Sequence, residues 1–371
     1  MKTKKLITSI VMLFIVLVST YAQDEWEPKV HLTGYVNTVV EYANLDHLDT
    51  KLGMGLSDAG FLASYSPIEN LELKATLVYT HHIPNIQSLV VEAYGTYAIS
   101  DNFKVGAGKF LTPLSPVNTY FYAPLNISVT LPMIVSHHFL LPQSISGFQV
   151  SGEFGDKVNF KYNLTYGNYT NLGHALGGIL EVQGQEDITN VLPHIDLPEL
   201  ETQYLLGGSA RFEASFQDVF SLGLNYFDGT QSTAIVAEEL VPAKKYSWGV
   251  DGHLNLSGLK INGEYWKGQQ QTTDLAQNLT SKYKGYYAEA MYQAGIFTPF
   301  VRYDFIEDIN GSGLQAPTTA KSLGVAIRPI FETLFKIEYR KVNVDYAGGI
   351  TNFYDFQDNY NHWLFSTVIS F

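Results

Sequence analysis

Beyond residue 22, no segment of this 371-residue chain approaches the 18 consecutive apolar residues of a membrane helix. Stretch after stretch instead alternates apolar and polar side chains. Phe297, Pro299, Val301, Tyr303 and Phe305 share one face of such a stretch, with Thr298, Arg302 and Asp304 on the other. Phe335, Ile337 and Tyr339 alternate with Lys336, Glu338 and Arg340, and Val158, Phe160, Tyr162, Leu164 and Tyr166 with Asn159, Lys161, Asn163 and Thr165. A period of two is the period of a β-strand. Composition turns the pattern into a constraint. Aromatic residues make up 14% of the chain and charged ones only 16%, against about 25% charged in soluble proteins. Lipid offers no partner to an open sheet edge, so strands cross a membrane only in a closed barrel. A soluble β-sandwich also alternates, but no second sheet is identifiable to cover the apolar face. The expected fold is therefore all-β, a transmembrane antiparallel barrel.

Sixteen such segments can be counted. They start near Val30, Ala59, Leu71, Ser88, Phe103, Gly147, Val158, Tyr204, Phe220, Tyr246, Leu259, Ser281, Phe297, Thr319, Leu334 and Asn361. Short connections, such as Ser257–Gly258 and Ile330–Thr333, alternate with longer ones. In this barrel class short turns face the periplasm and long loops face outward. A barrel this wide leaves room for an aqueous channel.

The first 22 residues read as a secretory signal. Lys2, Lys4 and Lys5 precede the apolar stretch Leu6–Val18, and Thr20-Tyr21-Ala22 offers small residues for cleavage. The barrel domain then spans residues 23–371. Only Gln23 to Lys29 precede the first strand, too few for the plug of an energy-gated transporter. The absence of cysteine excludes a lipoprotein anchor at the cleavage site, disulfides and thiolate chemistry. After cleavage, 36 acidic residues face 20 basic ones, a formal charge of −16 that argues against nucleic acid as a partner.

The chain ends with Trp363, Phe365, Thr367, Ile369 and Phe371 on one face. This segment resembles the C-terminal strand of bacterial outer-membrane proteins, which the barrel-assembly machinery reads. The stretch Gly106-Ala107-Gly108-Lys109-Phe110-Leu111-Thr112-Pro113 is similar to the one in phosphate-selective-type and related sixteen-stranded porins, where strand five runs into a long third loop. The resemblance implies an outer-membrane homotrimer, a passive channel with the third loop folded into the pore. The phosphate-selective members carry a ladder of arginines and a lysine cluster. Here three lumenal arginines, Arg211, Arg302 and Arg340, sit on separate strands, which argues against phosphate selectivity.

The selectivity of a pore follows from its lumen-facing charges. Alternation turns Lys74, Lys104, Lys161, Arg211, Lys260, Arg302, Lys336 and Arg340 inward, with Glu72, Glu92, Glu153, Glu213, Asp251, Glu264, Glu289, Asp304 and Glu338. The two sets nearly balance, so weak selectivity is expected. Many of these charges can equally pair across strands and stiffen the wall. Lys336, Glu338 and Arg340 are the residues best placed to meet solute. The connection from Leu111 to Ser146 holds no Asp, Glu, Lys or Arg. It is expected to fold into the barrel and narrow it with Tyr120, Phe121, Tyr122, His137, His138 and Phe139, a neutral aromatic surface suited to saccharides. The alternative is packing at a trimer interface. Acidic loops, Thr170 to Gln203 and Asn343 to Tyr360, offer a cation-attracting mouth or bridges through divalent ions to lipopolysaccharide. His81-His82 and His137-His138 are adjacent pairs, poor chelates on strands, so no metal site is expected. No cofactor is expected, and no spacing singles out a catalytic triad. An adhesin or receptor with a closed pore stands as the reading from another class.

Overall fold

A computed structural model describes residues 27–45, 48–80, 90–100, 102–120, 122–136, 141–169, 206–236, 239–273, 278–308, 317–345 and 359–371. The signal region, most of the acidic loop residues, His81, His82, Phe121, His137, His138 and Phe139 lie outside the described residues.

Sixteen antiparallel strands close into a barrel in which each strand pairs with its sequence neighbours and β1 pairs with β16. The first eight are β1 (Lys29–Leu45), β2 (Leu48–Ile68), β3 (Leu71–Thr80), β4 (Val90–Ser100), β5 (Phe103–Leu111), β6 (Ser144–Gly155), β7 (Val158–Asn168) and β8 (Leu206–Phe216). The second eight are β9 (Phe220–Val236), β10 (Glu239–Leu256), β11 (Leu259–Thr273), β12 (Asn278–Tyr292), β13 (Phe297–Asp308), β14 (Thr318–Ile330), β15 (Thr333–Val344) and β16 (Tyr360–Ser370). Between β5 and β6, loop 3 carries two single-turn helices, α1 (Pro116–Thr119) and α2 (Met133–Ser136).

Alternation assigns the faces. Leu164, Phe212, Leu222, Leu224, Val301, Leu323, Phe365 and Ile369 are exposed on the outer surface. This continuous apolar skin is what a lipid-facing barrel requires. At closure, Phe371 N–H donates to the Gly34 carbonyl (3.0 Å) and Gly34 N–H to the Phe371 carbonyl (2.8 Å). A Cβ on Gly34 would stand 2.7 Å from the Phe371 ring, so a side chain there would make the terminal ring swing aside. The β10–β11 turn uses Ser257 (φ 46°) and Gly258 (φ 92°). Two left-handed residues make the tight hairpin whose twist matches the flanking strands.

Two strands begin far ahead of their sequence-based starts. β2 starts at Leu48 rather than Ala59, and β10 at Glu239 rather than Tyr246. Leu48 pairs with Leu45 and Glu239 with Val236, so two connections read as long loops are hairpins that continue above the apolar band. Gly53, Gly55 and Asp58 in β2 look like loop formers. Ladder hydrogen bonds with β1 hold them extended all the same, because pairing with a neighbour outweighs weak local preference.

Candidate functional site

Loop 3 builds the site. A segment with no charged side chain still carries backbone donors and acceptors, and burying it requires partners for them. The inner wall supplies those partners as charges. The Glu338 carboxylate on β15 accepts from the backbone N–H of Val129 (2.8 Å) and Thr130 (2.9 Å) and from the Thr130 hydroxyl (2.6 Å). Asp304 on β13 accepts from Met133 N–H at the start of α2 (3.0 Å), and Glu264 on β11 accepts from Ser115 Oγ (2.8 Å). Cations take the carbonyls. Lys336 Nζ donates to the Ala123 (2.8 Å) and Ser128 (3.1 Å) oxygens, Arg302 to the Thr130 oxygen (2.8 Å) and Arg328 to the Pro124 oxygen (2.7 Å). Arg340 donates to Thr130 Oγ1 (2.6 Å). Bonds with one charged partner are about twice as strong as neutral ones, so this is a latch rather than a resting contact.

The charges also pair with one another. Arg302 lies 2.9 Å from Asp304 and 3.7 Å from both Glu289 and Glu338, and its side chain is fully buried. Three cations, Arg302, Lys336 and Arg340, thus share one patch of wall with three carboxylates, Glu289, Asp304 and Glu338. A second knot joins Arg211 to Asp251 (2.5 Å) and Glu213 (2.6 Å), with Asn225 donating to Asp251 (2.7 Å). A third joins Lys74 to Glu92 (2.9 Å), on which the Tyr122 hydroxyl rests (3.0 Å).

Apolar packing completes the seating. Phe110, Leu114, Met133, Ile134, Val135, Leu141 and Ile145, from loop 3 and its flanks, form one buried cluster with wall residues such as Phe227, Trp266, Tyr283, Tyr287, Ile306 and Val342. Tyr122 and Ala123 join a smaller cluster with Tyr35, Val78, Leu334 and Val368, from β1, β3, β15 and β16. The contacts of the loop therefore follow the wall from β11–β15 round to β1–β3. Within the motif that leads into it, Gly108 adopts φ +134°, and a Cβ there would meet Tyr94 Cα at 2.6 Å. Only glycine lets β5 turn inward against β4 at this point.

What remains open lies beside the loop. A cavity of about 490 Å³ is bounded on one side by Pro116, Val117, Tyr120, Leu125 and Asn126 of loop 3. Its other side is the wall of β7–β12, with Lys161, Glu213, His253, Lys260, Asn262 and Glu289. In all, two lysines here face five acidic residues, Glu213, Asp218, Asp251, Glu264 and Glu289, so the open space is more acidic than the near-neutral lumen expected from the sequence.

The structure divides the sequence-derived candidates. Lys74, Lys104, Lys260 and Glu289 are partly exposed on the inner wall. Arg211, Glu264, Arg302, Asp304, Lys336, Glu338 and Arg340 are buried. Lys336, Glu338 and Arg340, expected to meet solute, instead lie under loop 3 and hold it. Alternation could orient these side chains but not show what covers them. Of the constriction residues within the described structure, Tyr120 is exposed at the cavity and Tyr122 is buried. Ser115, Ser128, Thr130 and Arg328 escaped sequence reading. The signal that points to them is joint: a chargeless loop facing strands with surplus inward charge.

No protein-family model matches this sequence, and no curated protein does. Among solved structures, OmpT, an outer membrane protein of Vibrio cholerae, aligns with a TM-score of 0.60 at 13% identity, over 94% of this chain and 99% of that one. The anion-selective porin from Comamonas acidovorans aligns at 0.59 and 14% identity, over 93% and 100%. The outer membrane channel DcaP of Acinetobacter baumannii aligns at 0.57 and 10% identity, over 94% and 99%. At such identities the likeness defines the fold, that of outer-membrane porin barrels.

Proposed function

We propose that this chain, after loss of residues 1–22, is an outer-membrane porin passing small hydrophilic solutes by passive diffusion. The observation that carries the reading is the open cavity between loop 3 and the β7–β12 wall. A barrel filled as a core would leave no such space, and one without a seated loop would not be narrowed. The cavity lining, two lysines against five acidic residues, supports weak selectivity in favour of cations. Planar-bilayer recording tests the proposal. The intact protein should give stable open steps, and deletion of Pro116–Phe139 should raise their conductance. Silence from the intact protein favours the closed-pore receptor instead, and an unchanged conductance on deletion removes loop 3 as the constriction.

A narrower reading, a channel selecting neutral saccharides, draws on the cavity lining. The exposed Tyr120 ring faces a wall carrying Asn255 and Asn262, an aromatic platform opposite planar polar groups. Saccharide block of the ion current, weakened by Tyr120→Ala, is the expected signature.

The assembly we propose is a homotrimer, as in the trimer form in which V. cholerae OmpT is known. Leu52 and Met54 on β2 are 74% and 79% exposed near the long-loop end. Apolar side chains so exposed at that height suit a contact with another protomer. Leu52→Glu with Met54→Glu should convert trimers to monomers in native electrophoresis. Monomeric migration of the unaltered protein sinks the trimer.

A further inference from the structure

The outward face of β10–β15 is basic along its upper edge. Lys244, Lys267, Lys282, Lys321 and Lys341 are exposed there, and Lys284 is half-buried in a pair with Glu307. Among the described outward residues of these strands Glu307 is the lone acid, leaving a surplus of five positive charges. Two pairs of lysines stand directly opposite each other across strands, Lys321 with Lys341 and Lys267 with Lys284. Like charges so placed repel and destabilise the sheet unless an anion sits between them. At the corresponding end of β2 the outward residues are Leu52, Met54 and Leu56, so the basic edge belongs to one side of the barrel.

Height identifies the setting. Strands rise about 3.3 Å per residue and tilt about 40°. The nine residues from Glu332, in the β14–β15 turn, to Lys341 therefore climb roughly 23 Å, near the 25 Å of an apolar band. The lysines stand where acyl chains end and headgroups begin. Below them runs a trough of about 590 Å³, lined by Ile261, Ala288, Ala290, Val301, Leu323 and Tyr339 and headed by Lys321 and Lys341. Its floor is low because β12 presents the small Ala288 and Ala290 outward at this height, between the larger side chains of Ile261, Val301 and Leu323.

We infer that this trough and its paired lysines form a binding site for lipopolysaccharide: an acyl chain lies over Ala288 and Ala290, and a phosphate on the acylated sugar sits between Lys321 and Lys341. The inference rests on the outer-membrane reading above, but not on conduction. Phosphate accepts charge-assisted bonds from both ammonium groups and cancels their repulsion. An apolar trough capped by cations fits an amphiphile whose anionic group directly adjoins its chains.

Titration of the refolded barrel with diphosphoryl lipid A, read by native mass spectrometry, is the test. Lys321→Gln with Lys341→Gln should weaken binding by about tenfold or more, the loss of roughly 1.4 kcal/mol. Enzymatic dephosphorylation of the lipid should weaken binding to the unaltered barrel similarly. Ala290→Trp, which fills the trough and leaves the lysines, should also reduce it. Each variant's resistance to unfolding in unheated detergent gels reports that the barrel is intact. Undiminished binding by the folded double-lysine variant overturns the site. Equal binding of phosphatidylglycerol overturns the choice of lipopolysaccharide. Open-channel conductance of the same variants should stay unchanged, so failure here leaves the porin reading standing, and a silent channel leaves this site standing.

Discussion

Replacing Arg302 with methionine is expected to free loop 3 from the wall and raise single-channel conductance toward that of the loop deletion. The guanidinium is fully buried, paired with Asp304 at 2.9 Å, and reaches the loop at Ser128 Oγ (2.9 Å), Thr130 O (2.8 Å) and Thr130 Oγ1 (2.6 Å). Methionine fills similar volume but leaves Glu289, Asp304 and Glu338 close together without their shared cation. Breaking a buried ion pair from one side costs about 3–5 kcal/mol. The wall can relieve that cost by admitting water, and water enters only if the loop lifts. The barrel itself should stay closed, because the ladder on either side of Arg302 is made by backbone atoms that the substitution leaves in place. Arg302→Lys should fall between the two, since a point charge cannot serve the loop and the carboxylates in one plane. Conductance identical to the unaltered protein, in a variant that still migrates as a folded barrel, would refute the latch.

The second large effect is on insertion. Leu224, 55% exposed on β9, stands opposite Phe212 of β8 and Val250 of β10 on the outer face. In a lipid-facing barrel Leu224→Arg should cost about 2–4 kcal/mol of folding free energy, as charges near the bilayer midplane do. On a water-facing barrel the same exposed substitution would change stability by no more than about 0.5 kcal/mol. Denaturant titration of folding into phospholipid vesicles separates the two, and a negligible effect would contradict a membrane-spanning barrel.

Much of this molecule was legible from one-dimensional order. The count of sixteen strands follows from period-two alternation in segments such as β7, β13 and β15, where a slip of one residue would turn charges toward lipid. Faces were legible for the same reason: Arg302, Lys336 and Glu264 are inward as their parity requires. The ends of β2 and β10 were not. Above the apolar band both faces meet water, the alternation loses its cause, and only pairing with β1 and β9 shows that the strands continue. The basic edge of β10–β15 was equally hidden. Its six lysines are scattered between positions 244 and 341 and meet only when the register sets them side by side.

Sequence alone determined the class of fold, because a chain rich in aromatic residues, poor in charge and without apolar helices has one way to satisfy its backbone in lipid. It also determined that loop 3 would need burial, since a run from Leu111 to Ser146 without a charged side chain has little to hold it in water. Tertiary structure decided what the inward charges are for. Glu338, Arg302 and Lys336 are separated in sequence from Thr130 and Ser128 by some 170 to 210 residues. Parity gives a side chain its direction, but whether it then meets solute or a buried loop depends on where a distant segment comes to rest.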